Sequence, residues 1–156
     1  MHVELPKNKT YLLAVSGGID SMVMCDLFLK HQLSFAVAHC NFSLRGNDSD
    51  DDESLVQEWC QKNQITFWTK KFDTEAIAFD QSVSIQVAAR QLRYGFFNEL
   101  LQQQQYNCLV TAHHRDDNIE TALFHFFRGT GLQGLQGIPA ENGSIIRPML
   151  TYSKEE

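Results

Sequence analysis

Hydrophobic positions follow two alternating rhythms along the chain. Tyr11-Leu12-Leu13-Ala14-Val15 is a continuous apolar run of strand length that stops at Ser16-Gly17-Gly18. Ser21 to Lys30 then carries Met22, Cys25, Leu27 and Phe28 at mixed helical spacing. The reading is strand, glycine turn, helix. Ser34 to His39 gives a second strand and Cys40 to Asp48 a polar loop. Ser49, with Asp52 three residues on, has capping-box spacing and opens a helix whose inner stripe is Leu55, Val56, Trp59 and Cys60. Ile65 to Lys71 is a third strand. Ser84 opens a long helix, with Ile85, Ala88, Ala89, Leu92, Phe96 and Leu100 on one face. Cys108 to Ala112 supplies a fourth strand. Ile119, Ala122, Leu123, Phe126 and Phe127 fit a further helical stripe, followed by the glycine-rich stretch Gly129 to Gly137 and a short strand near Ser144 to Ile146.

Repeated strand–helix units predict an α/β fold: a mainly parallel sheet joined by right-handed crossovers, with helices on both faces. Ligands of such sheets bind beyond the carboxyl ends of the strands, which gathers three loops on one rim: Ser16 to Ser21, Cys40 to Gly46 and His113 to Asp117. A length of 156 residues and 43% hydrophobic content suit one domain with a real core, which excludes a disordered tail. No apolar run reaches the roughly 18 residues of a membrane span. The amino terminus lacks the basic and apolar regions of a secretory signal, so the expected compartment is the cytoplasm. Cys25, Cys40, Cys60 and Cys108 are scattered, without a Cys-x-x-Cys pair, and read as reduced, mostly buried thiols. The net charge of −6 argues against a surface that grips nucleic acid everywhere.

The sharpest chemical signal is Ser16-Gly17-Gly18-Ile19-Asp20-Ser21, between a strand and a helix. Glycines there let backbone amides close on an anion, the helix start adds partial positive charge, and the serines add hydroxyl donors. This is a phosphate cradle, although it matches neither a Walker A loop nor a dinucleotide fingerprint. The second cluster is His113-His114-Arg115-Asp116-Asp117 with Glu120 one turn on. Its acids can hold magnesium or steer an amine, or they can simply complement the helix dipole. His39 ends the second strand at the same rim, as a structural or a catalytic histidine. Arg90 and Arg93 are helical neighbours that can face phosphates, acids of this chain or solvent.

The hexapeptide resembles the Ser-Gly-Gly-x-Asp-Ser signature of the PP-loop ATP pyrophosphatases, which split ATP between its α and β phosphates. Further motifs follow in order: His39-Cys40-Asn41 with Leu44-Arg45-Gly46, Ala89-Arg90-x-x-Arg93-Tyr94, and Thr111-Ala112-His113-His114-x-Asp116-Asp117-x-x-Glu120-Thr121. Arg128-Gly129-Thr130-Gly131-Leu132 and Ile146-Arg147-Pro148 complete the series. Together they resemble the tRNA(Ile)-lysidine synthetase family from about Tyr11 to the last residue.

That resemblance implies an ATP-dependent ligase that joins free lysine to C2 of the wobble cytidine of a tRNA(Ile) with a CAU anticodon, through an adenylated cytidine. It assigns Ser16, Gly17, Gly18, Ile19, Asp20, Ser21, His39, Arg93 and His113 to the nucleotide. Asp20, Arg90, Asp116, Asp117, Glu120 and Arg128 go to catalysis, and Asp20 with Asp117 to Mg2+. It implies no membrane and is compatible with a homodimer. It also makes residues 1–156 an incomplete catalytic domain, since Ser153-Lys154-Glu155-Glu156 reads as a helix start with no helix behind it. The missing part would carry much of the basic tRNA-binding surface. The rivals are a PP-loop tRNA thiolase, for which only Cys40 is well placed, and an ATP-binding module without turnover.

Overall fold

The computed structural model describes residues 5–127 and 137–153, the side chains of 122–127 excepted. Its centre is β1 (Thr10–Ala14), which pairs in parallel with β2 (Ser34–Asn41) on one side and β4 (Cys108–Thr111) on the other. β3 (Phe67–Lys71) extends the sheet beyond β2. β6 (Ile145–Ile146) continues it beyond β4, and β5 (Glu141–Asn142) closes that edge as an antiparallel hairpin partner. The order is β3-β2-β1-β4-β6-β5, the mainly parallel sheet expected from the strand–helix alternation.

Alternation along the strands builds two cores, because successive side chains point to opposite faces of the sheet. Tyr11, Leu13, Phe35, Val37 and Val110 face one way, toward Met24, Cys25 and Phe28 of α1 (Ile19–Lys30) and Val56 and Cys60 of α2 (Asn47–Asn63). Leu12, Ala36, Ala38 and Leu109 face the other way, toward Phe96, Phe97 and Leu100 of α4 (Ile85–Gln103). A sheet covered on both faces explains the continuous apolar runs of β1 and β2. Three helix predictions hold well. α1 starts at the glycine turn, Ser84 caps α4 by accepting from the Val87 amide at 3.3 Å, and α5 (Arg115–Phe127) follows β4. Cys25 and Cys60 are buried, and all four thiols are free.

Some expectations need correction. α2 begins two residues before Ser49, with Gly46 at the N-cap and no side-chain cap; Ser49 Oγ instead accepts from the Arg45 amide at 3.2 Å. Asp52, the other half of that expected capping box, pairs with Arg45. Leu55, Ile85 and Ile119, each placed on an inner stripe, are 50%, 42% and 49% exposed. In α2 the first buried stripe residue is Val56, and in α4 it is Ala88. The short helix α3 (Thr74–Asp80) carried no signal, because it buries only Thr74 and Ala78 while its largest apolar side chain, Phe79, is 86% exposed. The hairpin at β5 was also unforeseen; its two residues are polar and exposed. Arg128 and the stretch 129–136 lie outside the described residues, as do 154–156.

The carboxyl end of β2 is tied to α2 by Asn41, which is 1% exposed. Its Nδ2 donates to Asp50 Oδ1 at 2.7 Å and Glu53 Oε2 at 2.8 Å, and its Oδ1 accepts from the Ser43 amide at 3.0 Å. Lys71 Nζ meets the same Asp50 carboxylate at 2.6 Å, and together with Asn41 it holds that carboxyl below its ordinary range. The strand end, the following loop and the first turns of α2 are therefore linked through one buried side chain. Replacing Asn41 by Ala strands the Ser43 amide and undoes both carboxylate contacts. The expected loss is about 1–3 kcal/mol of stability, read from urea unfolding midpoints at unchanged slope.

Candidate nucleotide site

The chain leaves β1 in one direction through α1 and β2 and returns on its other side as β4, so the connections that leave the paired carboxyl ends of β1 and β4 run in opposite directions along the sheet. That switch point opens a cleft of about 310 Å³. Its size and mixed lining suit a small-molecule ligand. Ser16, Gly18, Asp20 and Ser21 line one end, Val15, Phe42, Tyr94 and Phe97 give apolar wall, and Arg93, Thr111, His113 and Asp117 supply polar groups. All three rim loops expected from the sequence contribute.

The cradle is built by its own side chains. Ser16 Oγ accepts from the Gly18 amide at 3.3 Å, Ser21 Oγ donates to the Gly18 carbonyl at 2.8 Å, and the Ser16 amide donates to Ser21 Oγ at 3.3 Å. These bonds fold the loop over the start of α1. Gly18 caps that helix through its backbone only, so the Ile19, Asp20 and Ser21 amides keep no acceptor among the described residues. Orphan amides at a helix start are an anion site. Gly17 has φ +90°, and a Cβ built there would lie 3.1 Å from Asp52 Cβ. The turn thus requires glycine for its backbone angle and for the close approach of α2.

Opposite the cradle, His114 and Asp117 cap α5 reciprocally. Asp117 Oδ2 accepts from the His114 amide at 2.9 Å, and His114 Nδ1 accepts from the Asp117 amide at 3.4 Å. This has the logic of a capping box, with histidine in the place of serine. An accepting Nδ1 puts the ring proton on Nε2, which lies 3.6 Å from both Asp20 Oδ2 and Asp117 Oδ2. His114 is 7% exposed and so bridges the cradle to the acidic start of α5. It was not among the expected site residues. Its signal in the sequence was only the His-x-x-Asp spacing ahead of a helix, which resembles many caps.

The other expected residues separate. Asp20, Ser16, Gly18, Ser21, Arg93, His113 and Asp117 line the cleft. His113 Nδ1 lies 2.8 Å from Thr111 Oγ1, and burial, helped by the charges of Arg147 and Arg93, holds the ring's pKa below its ordinary 6.5. Arg93 stacks its guanidinium 5.2 Å from the Phe42 ring centroid, which fixes the cation at the cleft wall. Arg90 instead stacks on Tyr94 at 5.1 Å and stands on the exposed face of α4, away from the lining. Glu120 is exposed a turn along α5, Asp116 sits beside His114 Nδ1 at 3.8 Å, and Ile19 is 79% exposed at the helix start. His39 is 3% exposed, and its Nδ1 donates to the Val15 carbonyl at 2.9 Å. It ties β2 to the end of β1 behind the cleft. Cys40 lines the cleft, but burial pushes its thiol up to about 12.

For Mg2+, Asp20 and Asp117 offer two carboxylates at the cleft beside the cradle. Among the described residues no three His, Cys, Asp or Glu side chains form a ready ligand set. Mg2+ usually binds through one or two carboxylates with phosphates and waters, so this donor pair fits it. Also among the described residues, no helix is long and apolar enough to cross a membrane.

A Ser-Gly-Gly-x-Asp-Ser cradle at the switch point of a parallel sheet defines a PP-loop nucleotide-binding domain. Residues 2–156 match the PP-loop domain family, and the chain belongs to it. Its relatives carry a more particular name. It is 47% identical over 149 residues to a tRNA(Ile)-lysidine synthase of Chlorobaculum tepidum, covering 93% of this chain and 45% of that protein. A tRNA(Ile)-lysidine synthase of Bacteroides thetaiotaomicron is 41% identical, over 99% of this chain and 36% of its own length. The chain therefore spans less than half the length of these curated relatives. Among solved structures, a U34-tRNA thiolase of Methanococcus maripaludis with its 4Fe-4S cluster superposes with a TM-score of 0.76 at 16% identity, over 97% of this chain and 55% of that one. An NMN synthetase of Francisella tularensis gives 0.62 at 20% identity, over 96% and 58%. At those identities the likeness concerns the fold alone.

Two outcomes follow from the site geometry. Gly17→Ala forces a side chain into a positive-φ turn against Asp52, and the expected cost is about 1–3 kcal/mol in unfolding midpoint together with weaker ATP binding by calorimetry. His113 has a lowered pKa, so it adds no pH dependence above 6.5, where the ring is neutral in both states. As the pH falls through 6.5 the unfolded chain takes up the proton first and stability declines. His113→Gln should flatten that decline in melts run from about pH 7 to 5.

Proposed function

We propose that this chain is the nucleotide-binding part of a tRNA(Ile)-lysidine synthase, an ATP-dependent ligase forming a C–N bond. The observation that carries the reading is the pair of facing elements at one cleft: the Ser16–Ser21 cradle and the acidic start of α5, bridged by His114. One holds the phosphates of ATP. The other attracts an ammonium group. The names of the curated relatives, tRNA(Ile)-lysidine synthase, support a tRNA(Ile) as substrate, and the PP-loop family supports ATP; free lysine completes the reading.

In the first step, O2 of the wobble cytidine attacks the α-phosphorus of ATP in line, and the bond to the bridging oxygen breaks to release diphosphate. The Ile19, Asp20 and Ser21 amides and the two serine hydroxyls stabilise charge that grows on the leaving group. Mg2+, when bound at Asp20 and Asp117, supplies electrostatic stabilisation of the same phosphates. Arg93, fixed by Phe42, neutralises α-phosphate charge. In the second step, the lysine ε-amine attacks C2, the C–O bond to AMP breaks, and the amine loses its proton. Asp117, with Asp116 and Glu120 on the same helix, attracts and orients that amine. Arg90, on the exposed side of α4, faces the tRNA backbone rather than the nucleotide. Much of the basic surface that grips tRNA lies beyond this acidic chain of net charge −6.

A sulfur-transferring alternative would use Cys40, which lines the same cleft. A thiol pushed up to about 12 is held protonated, the opposite of what a sulfur nucleophile needs.

The test is incorporation of labelled lysine into a tRNA(Ile) transcript with a CAU anticodon, with and without ATP, by the intact protein. ATP-dependent incorporation with matched diphosphate release is expected. Diphosphate release without incorporation would move the substrate elsewhere and make sulfur transfer the next assay. Asp20→Ala should slow adenylation by about a hundredfold, and a variant as fast as wild type would remove Asp20 from the mechanism.

A further inference from the structure

The acid-rich first turns of α2 lie against the cradle. Asp52 packs so close that its Cβ is 3.1 Å, and its Oδ1 3.2 Å, from the position of a Cβ on Gly17. A bare carboxylate there would repel the phosphates that the cradle is built to hold. Arg45 resolves the conflict: its Nη2 donates to Asp52 Oδ2 at 2.6 Å. The loop that carries Arg45 is held from both ends. Thr74 Oγ1 donates to the Phe42 carbonyl at 2.8 Å, the Ser43 amide donates to Asn41, and the Arg45 amide donates to Ser49 Oγ. The arginine is therefore aimed by its backbone while its side chain stays 66% exposed. A guanidinium has five N–H donors, and among the described residues only Nη2 is used.

We propose that Arg45 is a diphosphate-binding residue of this site, parked on Asp52 and presenting its free N–H edge to the β and γ phosphates of the nucleotide. The inference rests on the reading of the Ser16–Ser21 loop as a nucleotide cradle and adds a polarity to it. Val15, Phe42, Tyr94 and Phe97 give the cleft an apolar wall that suits the nucleoside. Gly17, Asp52 and Arg45 are not part of the cleft lining. The phosphate chain runs outward across the loop, and the leaving diphosphate departs past Arg45 without crossing the nucleoside pocket. Asp52 gives the guanidinium a resting partner when diphosphate has gone.

Calorimetry of the intact protein with Mg2+, using inorganic diphosphate and AMP as separate probes, tests this. Arg45→Ala should weaken diphosphate by about tenfold or more and leave AMP within about twofold, since a charge-assisted contact is lost at one end only. Arg45→Lys should fall between, keeping the charge and losing the fork. The double variant Arg45→Ala, Asp52→Ala separates grip from neutralisation: diphosphate should stay weak if Arg45 binds it. Recovery to the wild-type affinity in the double variant overturns the proposal, as does unchanged diphosphate binding in Arg45→Ala or an equal loss for AMP. Wild-type protein that binds neither probe would bring down the cradle reading itself, and this inference with it.

Discussion

Everything at the site depends on where β1 lies. It is buried on both faces, by α1 and α2 on one and α4 on the other, and both its edges are paired. Its three central residues are buried, and beyond Ala14 the chain must turn. Because the next crossover goes to β2 and the returning one arrives at β4, the helices on the two sides diverge at that end and leave a cleft. The turn out of β1 thus opens into a place where orphan amides can meet a ligand rather than a neighbouring strand.

Two constraints then sharpen the turn. Gly17 adopts a positive φ and leaves room for Asp52, and the serines bond to the loop's own backbone. The price of bringing acidic α2 so close is a carboxylate beside an anion site, and Arg45 cancels it. On the far side, His114 uses one ring nitrogen to cap α5 and leaves the other facing Asp20 and Asp117. Capping, which stabilises the helix, also sets the distance between the Ser16–Ser21 turn and the acidic end of the cleft.

The arginines illustrate how packing divides look-alike residues. Arg90 and Arg93 are one helical turn apart and equally plausible as phosphate ligands in sequence. Arg93 reaches over Phe42 and enters the cleft wall; Arg90 lies over Tyr94 on the exposed face. The same division applies to the histidines. His39 lies two residues inside the end of β2, not at its end as expected, and His113 two residues beyond β4; His39 is turned back to the Val15 carbonyl, whereas His113 faces the cleft with its pKa lowered by burial.

The strands, the main helices and the cradle were legible from sequence because each is written locally. Continuous apolar runs specify strands buried on both faces, Ser84 is a local cap, and Ser-Gly-Gly-x-Asp-Ser carries its own turn chemistry. α3 and the β5 edge were not legible, since the first buries a threonine and an alanine and the second is two polar residues paired across a turn. The true start of α2 was hidden for a related reason: Ser49 and Asp52 have capping spacing, but tertiary partners, the Arg45 amide and guanidinium, claim both. The sequence by itself determined the sheet, the Ser16–Ser21 turn and the family. Only the tertiary structure decided that His114 bridges the two halves of the site, that Arg93 rather than Arg90 enters it, and that Asp52, paired with Arg45, stands beside Gly17. Those pairings join residues from different elements, and their distances are set by how the helices pack on the sheet.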